Sequence, residues 1–170
     1  RVGNESTDEL YFAYVNHIKE TDPLAWKVKQ ADLLMNMDAR RLTKVEPNDV
    51  ERCFKYEASL LGLGKEYLRF RALLTEAKPA VQAFFNKHKV PNLDPLVPTY
   101  ASSFYLALPE NVRQAYFSFR PYRTLPFILE KCDDELLASL SFEDLMLLYS
   151  SDFEARPLTP NGTFTNPFVK

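Results

Sequence analysis

The side chains able to carry chemistry are few in this 170-residue chain, and their scarcity narrows what it can do. Two histidines (His17, His88) and two cysteines (Cys53, Cys132) are too few and too scattered for a local zinc cluster or a disulfide framework. Four glycines, of which only Gly62 and Gly64 lie close together, leave no loop that could cradle a phosphate. Cys53, beside Phe54, reads as a small core residue. Cys132 precedes Asp133 and Asp134, whose charge raises a thiol pKa and opposes a nucleophilic role. His17 and His88 read as surface residues. One strip interleaves aromatics with arginine, Tyr116-Phe117-Ser118-Phe119-Arg120-Pro121-Tyr122-Arg123. Such a strip can stack single-stranded bases or serve a protein interface. Two arginines in an acidic half-chain favour the protein, which makes Tyr116, Phe119, Arg120, Tyr122 and Arg123 candidate partner-binding residues and nucleic acid a poor one.

The elements that must position these groups are helical throughout; no alternation of strand period and no internal repeat is visible. Ser6-Thr7-Asp8-Glu9 is a capping box for a first helix to about Glu20, with Leu10, Tyr14 and Ile18 on one face. Asp22 and Pro23 start a second helix to about Met37, with the stripe Leu24, Val28, Ala31 and Met35. A third begins at Pro47-Asn48-Asp49, carries Val50, Phe54, Ala58 and Leu61, and stops at Gly62. A fourth runs from Lys65 to about Lys78, and Pro79 opens a separate piece ending near His88. Three prolines between Val90 and Pro98 mark an extended crossover. Helices are then expected over 100–108, 109–119, 125–140 and 141–149. The last begins at the S-x-x-D box Ser141 to Asp144 and turns Leu145, Leu148 and Tyr149 inward. The acidic run Glu130 to Glu135 reads as a solvated helix start, and residues 157–170 as an extended tail.

Composition divides the chain near residue 79. Ten of the 12 prolines and 15 of the 23 aromatics fall beyond residue 78, where 8 basic residues face 10 acidic ones. The net charge of −2 creates no field that would draw the chain onto nucleic acid or an anionic membrane. No apolar run has the length of a membrane span, no signal peptide opens the chain, and a reduced cytoplasmic setting is expected. The start at Arg1 suggests a processed or trimmed product. The organisation expected is an all-α fold in three parts: a helical module over 1–64, a proline- and aromatic-rich helical region over 65–156, and the tail.

One segment is specific enough to suggest a family. Residues 22–42, DPLAWKVKQADLLMNMDARRL, resemble the last metal-binding helix of HD-domain phosphohydrolases of the guanosine tetraphosphate hydrolase type. Asp22-Pro23, Ala25, Val28-Lys29, Ala31-Asp32 and Asn36-Met37 fit that family's pattern in register, and the flanking helices fit too, over roughly residues 1–62. The resemblance implies that Asp32 is a ligand of a single divalent metal, commonly manganese, that activates water against a phosphoester. It also implies that Asn36 contacts a bound nucleotide, with a guanine nucleotide the possible partner; Lys29, beside them on the helix, is a further candidate for substrate binding. Helical spacing puts Lys29, Asp32 and Asn36 on one face.

The family's remaining ligands, a histidine and a His-Asp pair, have no counterpart, since His17 precedes Ile18 and His88 precedes Lys89. Two functions of different class follow as expectations. One is the distal part of an HD-type nucleotide phosphohydrolase, inactive from these 170 residues alone. The other is a non-catalytic helical module that binds a protein partner through its second half.

Overall fold

In the computed structural model, residues 7–88, 108–119, 128 and 131–155 are described, and among them every regular element is a helix. The order is α1 (Thr7–Thr21), α2 (Pro23–Met37), a single 3-10 turn (Ala39–Arg41), α3 (Pro47–Leu61), α4 (Gly64–His88), α5 (Glu110–Ser118), α6 (Asp134–Ser139) and α7 (Phe142–Ala155). The all-α class is as the sequence indicates. The crossover at 90–98, the helix at 100–108, the tail and Ser6 of the first capping box lie outside the described residues.

Local chemistry sets most of the boundaries. The Asp22 carboxylate accepts from the backbone N–H groups of Leu24 (3.0 Å) and Ala25 (2.9 Å), and Pro23 takes the first helical position. At α3, Asp49 accepts from the backbone N–H of Glu46 at 2.9 Å. Gly62 ends that helix in the left-handed region, φ 73°, and the Leu63 N–H closes onto the Ala58 carbonyl at 2.7 Å.

Helix α4 is the hub, packing against α1, α3, α5 and α7. Tyr67, Phe70, Leu74, Ala77 and Val81 recur at steps of three and four and are all buried. They share one apolar core with Phe12 of α1, Val50, Phe54 and Ala58 of α3, Val112 and Ala115 of α5, and Met146 to Leu148 of α7. The Tyr67 ring meets Phe12 and Phe119 edge-on, with centroids at 5.8 and 5.2 Å.

Three boundaries differ from the sequence reading. Helix α4 does not stop before Pro79 but continues through it to His88. The lost N–H costs one hydrogen bond to the carbonyl four residues back, yet the proline is exposed while Ala77 and Val81 on either side are buried, so packing holds the helix together. The helix expected over 125–140 is interrupted at Lys131 to Asp133. Asp133 is an N-cap, its carboxylate accepting from the Leu136 N–H at 2.8 Å, and it begins the separate helix α6. Helix α7 runs on past Tyr149 to Ala155.

The apolar stripes named on α1 and α2 are not the buried ones. Leu10 and Tyr14 of α1 and Leu24, Val28 and Met35 of α2 are exposed, while Phe12, Val15, Leu33 and Met37 are buried. Both helices carry apolar residues at helical spacing on two faces, so periodicity alone could not choose between them.

The start of α4 can approach α1 only because residue 64 has no side chain: a Cβ there would lie 2.5 Å from Phe12 Cγ and Cδ1. Gly64→Ala should therefore destabilise the fold by about 2 kcal/mol, measured by urea unfolding, despite the better helix propensity of alanine.

Candidate functional site

Helix α2 presents the residues singled out by the sequence as one connected strip. Lys29 Nζ donates to Asp32 Oδ2 at 2.8 Å and Asn36 Nδ2 donates to Asp32 Oδ1 at 2.8 Å. Arg41, from the turn beyond the helix, donates through Nη2 to Asn36 Oδ1 at 2.9 Å. The three predicted residues thus come together, and the Asp32 side chain remains 46% exposed.

Aromatic and basic groups of α1 and α3 border this strip. Lys29 Nζ lies 6.0 Å from the Tyr11 ring centre, and Lys55 of α3 lies 5.1 Å from it. Lys55 also pairs with Asp8 at 3.2 Å. The Tyr11 hydroxyl is screened from water, and the Lys29 charge and then Ser59 act to lower the phenol's pKa. Burial dominates there and pushes that pKa up. The Lys29 hydrogen bond holds the Asp32 carboxyl below its ordinary range. For Lys29, partial burial acts downward, but the bond to Asp32 and the nearby phenols outweigh it and the ammonium titrates above its usual value.

The strip therefore offers one ionised carboxylate facing solvent, with each oxygen already accepting one hydrogen bond. A carboxylate can accept more, and a hard cation would find one oxygen ligand here. Among the described residues, no three His, Cys, Asp or Glu side chains come together. His17 is exposed on α1, and the His88 side chain lies outside the described residues. These residues do not by themselves fit a complete manganese site.

The second half of the chain changes the reading of the aromatic strip. Phe119 is fully buried against Tyr67 and belongs to the core, so it offers nothing to a partner in this fold. The Tyr116 side chain, Arg120, Tyr122 and Arg123 lie outside the described residues. Burial raises both thiols to about 11, with Asp133 adding to the effect at Cys132 and Asp49 at Cys53, and neither cysteine is a ready nucleophile.

Sequence reasoning missed a buried polar network. Arg71 of α4 donates to the Tyr67 hydroxyl at 2.7 Å and to Asp144 at 3.2 Å, and Ser141 donates to the other Asp144 oxygen at 2.6 Å. The S-x-x-D box marked Asp144 as a capping residue, but no local pattern joins it to an arginine 73 residues away. Among the described residues, a cavity of about 320 Å³ lies between α1 and the start of α4, and another of about 190 Å³ lies around Lys44, Lys131 and Asp133. Neither is lined by Lys29, Asp32 or Asn36.

Comparison of the chain with protein-family models, with curated proteins and with solved structures finds no match.

Just past Asn36, Asp38 accepts two hydrogen bonds from the Arg40 guanidinium at 2.8 Å each and one from its backbone at 3.1 Å, holding the Asp38 carboxyl down to about 2. A depressed folded-state pKa adds stability above the unfolded value of roughly 4 and loses it as pH falls through the folded value. The stability difference between the parent chain and Asp38→Asn, from urea midpoints, should therefore be level above about pH 5 and shrink steadily toward pH 2.

Proposed function

We propose that this chain supplies the Asp32-bearing helical half of an HD-type, metal-dependent nucleotide phosphohydrolase acting on a guanosine polyphosphate in the cytoplasm. The observation that carries the reading is the strip itself. Lys29 and Asn36 both donate to Asp32 along one side of α2, where the Asp32 side chain is 46% exposed. In this reading Asp32 holds one coordination position of the metal, while Asn36 and Lys29 border the nucleotide, the ammonium offsetting phosphate charge. When bound, the metal would supply an activated water. The chain's own residues contribute one anionic oxygen, an amide and a cation, and the other ligands must come from polypeptide beyond the described residues. Two free thiols, Cys53 and Cys132, accord with a reducing compartment. Among the described residues no helix is long and apolar enough to cross a membrane.

A second reading, a non-catalytic interaction module, draws support from one specific observation: large apolar side chains on α1 and α2 stand in water.

The test is a titration of the isotope-labelled chain with manganese and with guanosine tetraphosphate, followed by NMR. Paramagnetic broadening should centre on Asp32 and disappear in Asp32→Asn, which keeps the side-chain shape. Nucleotide shifts should centre on Lys29 and Asn36 and weaken in Asn36→Ala. Broadening centred elsewhere, or unchanged in Asp32→Asn, overturns the reading.

A further inference from the structure

The outer face of α2 is unusual for a helix of a folded chain. Leu24 is 73% exposed, Val28 67% and Met35 63%, with Leu34 at 50%, and Leu10 and Tyr14 of α1 are exposed to similar degrees. At roughly 150–200 Å² for each large side chain, Leu24, Val28, Leu34 and Met35 alone leave on the order of 450 Å² of apolar surface in water. That is the size of the largest patch usual on a monomer and more than half of the roughly 800 Å² that each partner buries in a standard interface. Of the seven exposed residues of α2, only Lys27 is charged.

We propose that this face is a self-association surface, on which α2 of a second copy of this chain packs antiparallel about a two-fold axis between Val28 and Ala31. The inference stands on exposure and spacing and is independent of the phosphohydrolase reading.

The spacing selects the occupant. Leu24, Val28, Ala31 and Met35 are separated by four, three and four residues, the steps of a two-helix seam. That order is the same read from either end, so the stripe turned end over end fits itself. Leu24 then meets Met35 of the partner subunit, and Val28 meets Ala31 of the partner subunit, large against small. A parallel arrangement would set the two Ala31 residues opposite each other and leave a void at the centre of the seam. Along the edge, the Lys27 stem covers Leu34 of the partner subunit while its ammonium reaches water. On the other edge, Asp32 faces Ala25 of the partner subunit, so no like charges meet and its bonds to Lys29 and Asn36 stay intact.

Sedimentation equilibrium of the chain tests this. The expected result is a mass of about twice 19.7 kDa. In Leu24→Glu/Val28→Glu the dissociation constant should weaken by about 100-fold or more, because two charges per chain enter an apolar seam. Both positions are exposed, so the far-UV circular dichroism of that variant should match the parent. Oxidation of Val28→Cys mixed with Ala31→Cys should give a cross-linked dimer, and Ala31→Cys alone should give none. A monomer at up to about 500 μM, a dimer indifferent to the double Glu variant, or ready cross-linking of Ala31→Cys with itself overturns the proposal.

Discussion

The Tyr67 side chain sits where the helices converge, and the rest of the fold is arranged to keep it dry. Its ring is clasped edge-on by Phe12 from α1 and Phe119 from just beyond α5, while its hydroxyl accepts from Arg71 one turn along α4. Burial pushes the phenol's pKa well up, so the hydroxyl remains protonated and can donate as well as accept. Arg71 in turn carries the contact to Asp144, which joins the middle of α4 to the first turn of α7. Burial raises the Asp144 pKa against the opposing effects of Ser141 and Arg71, so the pair is held by geometry and mutual hydrogen bonding more than by cheap ionisation. Removing either partner would leave a polar group stranded in the core.

Helix α2 shows the opposite economy. It buries Leu33 and Met37 on one side and lays its polar strip along the shoulder between its buried and its exposed face. The strip's charges are satisfied within α2 and the turn after it, from Lys29 to Arg41, so it does not depend on distant packing. Tyr11 and the two lysines around it fix the side of the strip nearest α1 and α3. An ionised carboxylate is thereby held in place, at modest cost, on a surface that remains open to solvent.

What could be read from the residues alone follows from how local each signal is. The caps at Asp22 and Gly62 act within one turn of chain, and the structure places them where the sequence indicated. The alignment of Lys29, Asp32 and Asn36 follows from helical spacing and was equally plain. The inward faces of α1 and α2 were not, because each helix has two apolar stripes and only the arrangement of neighbouring helices decides which is covered. The passage of α4 through Pro79 was hidden for a related reason: a proline's local cost was outweighed by burial of Ala77 and Val81 against residues far away in sequence. The Arg71–Asp144 contact, spanning 73 positions, leaves no local trace at all.

Trp26 is the single tryptophan of the chain, and the Lys19 ammonium lies 5.5 Å from its ring centre, reaching across from α1 to α2. The cation and the indole belong to different helices, so their separation measures how closely the hairpin is shut. Indole emission responds to a nearby charge, and the protein therefore carries a built-in optical gauge for the α1–α2 hairpin.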